Sequence, residues 1–124
     1  KMYKILVVDD EKRIVDIIEK FLSLQGFSVI RAVGGEEALK ILDTDTKIDL
    51  MILDMKMPKV NGMEVIKKTN ALGKNFPILL LTGSIDAEKY LVDLKKFGFD
   101  TTNILHKPID LPELLKRIKE KLKI

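Results

Sequence analysis

Five times in 124 residues, a short apolar run gives way to a stretch whose apolar side chains recur at helical spacing. That alternation restricts the fold severely. A continuous apolar run of this length marks a strand buried on both faces, and strands that alternate with helices pair in parallel through right-handed crossovers. Tyr3–Val8 reads as the first strand, ending on Asp9-Asp10-Glu11, and Lys12–Leu24 as a helix with Ile14, Ile17, Ile18, Phe21 and Leu22 inward. The second strand, Phe27–Ala32, is more polar and reads as an edge. After the turn at Gly34-Gly35, residues Glu36–Leu42 read as a helix with Ala38, Leu39, Ile41 and Leu42 inward.

The run beginning at Ile48 stops on a carboxylate, Asp54, and Pro58 and Gly62 then turn the chain into a third helix, Gly62–Leu72. Pro77–Leu81 stops on Thr82. A fourth helix is expected over Ile85–Phe97. Asn103–His106 is a brief last strand ending on Lys107-Pro108, and the fifth helix starts after Asp110, a good N-cap that is followed by Pro112 in the first turn.

The predicted fold is therefore α/β: a doubly wound, five-stranded parallel sheet in a single domain over 1–124, with strand order 2-1-3-4-5. Ligands in such sheets bind outside the carboxyl ends of the strands, where the order reverses. Strands one and three are neighbours there, so Asp9, Asp10 and Asp54 should share one crevice. Thr82 and Lys107 arrive from the next two strands.

Composition removes several alternatives. With no cysteine there are no disulfides and no thiolate metal sites. No apolar run is long enough to span a bilayer, and a cytoplasmic protein without membrane contact is expected. Basic residues number 22 against 19 acidic ones, and the signs are mixed. The one concentrated run, Lys116 to Lys123, lies where a helix C-terminus favours cations and carries no interleaved aromatics, so direct nucleic-acid binding is not expected. His106, the single histidine, should face away from the crevice. The methionines at 51, 55, 57 and 63 read as packing.

Three carboxylates in one crevice repel each other unless some are protonated or a cation sits among them. Oxygen donors without His or Cys favour Mg²⁺ or Mn²⁺. Thr82 offers a hydroxyl and Lys107 an ammonium, the donors that a phosphoryl group needs for its remaining oxygens. Asp54 is the residue placed to attack phosphorus.

Asp9-Asp10, Asp54 followed by Met57-Pro58 and Gly62, then Thr82, then Lys107-Pro108 together resemble the receiver domains of two-component response regulators, the CheY-like fold. The resemblance covers essentially the whole chain. It implies that Asp54 accepts a phosphoryl group from a phosphohistidine on a sensor histidine kinase or histidine phosphotransfer protein. By the same resemblance Asp10 and Asp54 would bind Mg²⁺ directly, the backbone carbonyl of Lys56 would be a third ligand, and Asp9 would act through water. Thr82 and Lys107 would hold phosphoryl oxygens, Lys107-Pro108 would be cis, and the protein would be a phosphoacceptor with slow self-dephosphorylation rather than an enzyme. A downstream effector would read the face made by helix four, strand five and helix five.

The chain departs from the family in placing Ile104 where an aromatic residue usually stands, three positions before the lysine. The segment Phe99–Asn103 reads as an extra loop. Lys56 and Ser84, two residues past the nucleophile and the threonine, are expected to set the lifetime of the phosphoryl group. Two other functions compete. One is a Mg²⁺-dependent phosphatase of haloacid dehalogenase type, although Lys56 stands where such enzymes carry a second Asp. The other is a receiver-shaped binding module that is never phosphorylated.

Overall fold

The computed structural model describes residues 2–83 and 87–124, the side chains of 87–90 lying outside that description. The strands are β1 (Lys4–Asp9), β2 (Ser28–Val33), β3 (Leu50–Asp54), β4 (Ile78–Thr82) and β5 (Ile104–His106). Between and after them run α1 (Lys12–Leu24), α2 (Gly35–Leu42), α3 (Gly62–Ala71), α4 (Ala87–Lys96) and α5 (Leu111–Leu122). The sheet has the order β2-β1-β3-β4-β5, and every pairing is parallel. The expected doubly wound, CheY-like flavodoxin fold is what forms.

Strand alternation divides the core in two. Leu6, Val8, Met51, Leu53, Leu80 and Ile104 face a layer built from α2, α3 and Leu94 of α4. Ile5, Val7, Leu50, Ile52, Leu79, Leu81 and Leu105 face the opposite layer, against α1 and α5. Both faces are covered, so β1, β3 and β4 are apolar at every position between their ends, which is why their sequences run without alternation. The edge strand β2 is covered less and reads as more polar. Among the described residues, no helix is long and apolar enough to cross a membrane.

Several boundaries differ from the sequence reading. Asp9 is the last residue of β1 and pairs with Val33, so this carboxylate is fixed by the sheet rather than carried in a loop. In α1 the buried stripe is Val15, Ile18 and Leu22, while Ile17 is 47% exposed. Ile17 follows one position behind the 3.6-residue register that Val15 and Ile18 set, and it turns to solvent. Leu72 lies past the last turn of α3 and is also exposed. The expected start of helix four at Ile85 lies outside the described residues. Phe99–Asn103 is compact: Asp100 caps a short 3₁₀ turn over Thr101–Asn103, and the Asn103 amide donates to the Ile78 carbonyl at 3.0 Å. This segment is thus pinned to the start of β4.

Candidate functional site

The carboxyl ends of β1, β3, β4 and β5 bring the predicted side chains together. Asp9 and Asp54 end neighbouring central strands and are buried, at 0% and 2% exposure, whereas Asp10 lies one residue beyond β1 and is exposed. One oxygen from each of the three carboxylates falls within 4.8 Å of the others. Lys107 follows β5, and its backbone N–H donates to the Thr82 carbonyl at 2.8 Å, which holds the base of its side chain beside β4. Its ammonium reaches between the buried acids, 3.1 Å from Asp9 Oδ2 and 3.3 Å from Asp54 Oδ1. The Lys107-Pro108 peptide is cis.

One cation between two buried carboxylates, with a third at the rim, leaves the site short of positive charge. Burial, and then the neighbouring charge of Asp9, push the Asp54 carboxyl up to about 7, against the opposing pull of Lys107. Burial likewise raises the Asp9 pKa, partly offset by the Glu11 N–H that donates to it. Burial alone would lower the Lys107 pKa, but the charges of Asp54 and Asp9 outweigh it and raise it.

Asp54 Oδ1 accepts from the Lys56 N–H at 3.3 Å, in addition to Lys107. Among the described residues, Asp54 Oδ2 is the one buried side-chain oxygen or nitrogen without a hydrogen-bond partner. An orphaned buried carboxylate oxygen is costly unless the site is built to receive something. Together with the carboxylates of Asp9 and Asp10 it makes a set of hard oxygen donors that fits a divalent cation such as Mg²⁺ better than a soft metal.

The sequence matches the response regulator receiver domain family over residues 5–119. The chain belongs to that family. Over 116 residues it is 40% identical to the alkaline phosphatase synthesis transcriptional regulatory protein PhoP of Bacillus subtilis, covering 94% of this chain and 47% of that protein. Over 116 residues it is also 37% identical to the response regulator SaeR of Staphylococcus epidermidis, covering 94% of this chain and 48% of that protein. The chain therefore spans about half the length of these curated relatives. The solved structure of the chemotaxis protein CheY4 of Vibrio cholerae superposes with a TM-score of 0.83 at 32% identity, covering 98% of this chain and 99% of that one.

In this receiver the acidic crevice is a pocket of about 580 Å³ lined by Asp10, Asp54, Lys56, Met57, Gly83 and Lys107, among others. Met57 belongs to its wall, a role that its reading as packing did not anticipate. Thr82 is buried, and its hydroxyl donates to the Gly83 carbonyl at 3.0 Å. Ser84 lies outside the described residues. His106 is exposed and belongs to a different depression, a groove of about 880 Å³ that it shares with Leu91, Ile104 and Arg117 between α4 and α5. Ile104 is 8% exposed and packs into the core. Arg117 donates to the Thr102 and Ile104 carbonyls at 2.9 and 3.1 Å, which ties α5 to the 3₁₀ turn and to β5.

Proposed function

We propose that Asp54 is the phosphoacceptor of this receiver, taking a phosphoryl group from a phosphohistidine on a sensor histidine kinase or a histidine phosphotransfer protein. The observation that carries the reading is the buried, unpartnered Oδ2 of Asp54 beside two further carboxylates and a lysine. A bond forms from an Asp54 carboxylate oxygen to phosphorus as the phosphorus–nitrogen bond to the donor histidine breaks, and the freed imidazole nitrogen keeps the electron pair. Asp10, Asp54 and the backbone carbonyl of Lys56 would hold Mg²⁺ directly, with Asp9 acting through water. When bound, the ion supplies positive charge to the carboxylates and to the phosphoryl oxygens.

The remaining roles belong to the chain itself. Lys107 already stands 3.3 Å from Asp54 Oδ1 and is placed to pair with a phosphoryl oxygen on that residue. The Thr82 hydroxyl must leave the Gly83 carbonyl to donate to another, and this rotation starts the switch. Because Thr82 pairs with His106 across β4 and β5, a shift at Thr82 reaches the α4–β5–α5 face, which we assign to the downstream effector. Residues 1–124 act as one receiver domain, a cytoplasmic phosphoacceptor with slow self-dephosphorylation and no direct contact with nucleic acid or membrane. The comparisons do not favour a phosphatase, and Lys56 lines the pocket where such an enzyme would place its second acid.

Intact mass after incubation with Mg²⁺ and acetyl phosphate tests this reading. A single added phosphoryl group is expected on the wild type, and none on Asp54→Asn or in the presence of a chelator. Steady phosphate release without an adduct would instead reveal a hydrolase.

A further inference from the structure

We infer that the Gly34-Gly35 turn at the start of α2 is a positioning element for the phosphoryl site, bracing the end of β1 against the loop that follows Asp54. The inference rests on the functional reading above, since it concerns the geometry of that same site. The turn makes contact on both sides. Gly34 donates its N–H to the carbonyl of Asp9 at 2.9 Å, with φ at 102°, a conformation open to glycine. Gly35 presses on the β3–α3 loop so closely that a Cβ there would stand 2.3 Å from the Val60 carbonyl oxygen and 2.7 Å from the Val60 side chain.

The braced loop needs outside support. It contains a three-residue turn closed by the Val60 N–H to the Pro58 carbonyl at 2.8 Å, with Lys59 at φ 65°. A non-glycine residue held there stores strain of the kind that surrounding structure must over-determine. At its far end the loop is closed by Gly62, whose N–H donates to the Met55 carbonyl at 3.0 Å. The contact from α2 supplies the constraint in between, and Glu36 adds a long ion pair to Lys59 at 3.9 Å. That exposed pair contributes little, so the brace is steric. Lys56, whose carbonyl is assigned to the metal, lies within the same loop.

A residue that orients a ligand group typically changes metal affinity by 10–100-fold when altered. Gly35→Ala is expected to weaken Mg²⁺ binding about tenfold, toward the lower end of that range. Val60→Ala loosens the same contact without a clash and is expected to weaken it about threefold, below that range because the backbone contact stays. Binding is measured by calorimetry, folding by circular dichroism, and the geometry by ¹⁵N amide shifts of the metal-free proteins. In the metal-free state both variants should move the amides of Asp9 and of residues 55–57 and 59–61 together.

Unchanged Mg²⁺ affinity in Val60→Ala, with amide shifts confined to its own loop, would overturn the inference even if Gly35→Ala failed to fold. If the wild type neither bound Mg²⁺ nor accepted a phosphoryl group, the functional reading would fail, and joint or separate movement of the metal-free amides would still decide the brace.

Discussion

Raising the pH of the metal-free domain from about 4 to about 8 will lower its stability by roughly 3 to 4 kcal/mol, and Asp54→Asn will remove most of that dependence. The sign follows from where the proton is held. Asp54 titrates at about 7 in the folded protein against an ordinary 3.8, so between those values the folded state carries a proton that the unfolded chain has released. Unfolding then releases protons, and stability falls as pH rises through that window. Asp9, also raised by burial, acts in the same direction. The raised Lys107 contributes stability that persists through this window and is lost only above its ordinary 10.5. Asp16 and Asp100 are lowered by side-chain hydrogen bonds and act in the opposite sense, but Asp100 is exposed and the Asp16 side chain is nearly half exposed, so both contribute little.

Urea midpoints at pH 5 and pH 8 with chelator provide the check. The wild type should be less stable at pH 8 than at pH 5, Asp54→Asn should depend on pH much less and be more stable than the wild type at pH 8, and Mg²⁺ should restore the wild type, because a ligand that binds only the folded state stabilises it. A wild-type stability that rises with pH would mean the carboxylates are already well compensated, and the case for a cation site would weaken with it.

Gly62→Ala should produce the largest structural loss, about 3 kcal/mol, together with a marked drop in Mg²⁺-dependent phosphorylation. A Cβ at this position would stand 2.7 Å from Met55 Cα, 2.8 Å from Met55 Sδ and 2.9 Å from the carbonyl oxygen of Asp54. Two of those three atoms are backbone, so relief requires moving the peptide that carries Asp54. Gly98→Ala is the appropriate control. Its φ of 85° makes any side chain strained, but nothing lies within 4 Å, so it should cost only about 1 kcal/mol and leave phosphorylation intact. Denaturant titrations of the two variants compare steric with conformational cost. Equal losses would show that the β3–α3 loop is softer than its packing implies.

The parts of this molecule legible in the sequence are those governed by burial on two faces and by the ends of strands. Runs such as Leu50–Asp54 could be assigned because a strand covered on both sides has no polar positions to confuse its period. The site followed from topology, since a parallel sheet in this order places Asp9, Asp54, Thr82 and Lys107 at one edge. Helix faces were less legible. Adjacent apolar residues in α1 offer more than one stripe, and only packing selects Val15 over Ile17. Contacts between segments distant in the chain were not legible at all. Gly34 and Gly35 read as turn punctuation, and their approach to Asp9 and Val60 exists only once β1, α2 and the β3–α3 loop are assembled. The segment 99–103 read as a loop because the bond that fixes it, from Asn103 to Ile78, joins residues distant in the chain.

The most direct test of the central claim is to locate the phosphoryl group. The protein is incubated with Mg²⁺ and acetyl phosphate, reduced with borohydride, which converts an aspartyl phosphate to homoserine, and mapped by tandem mass spectrometry. Homoserine at position 54, and at neither Asp9 nor Asp10, is the expected result. Reduction at another carboxylate, or at none while the intact protein carries a phosphoryl group, would contradict the assignment of Asp54 as the phosphoacceptor.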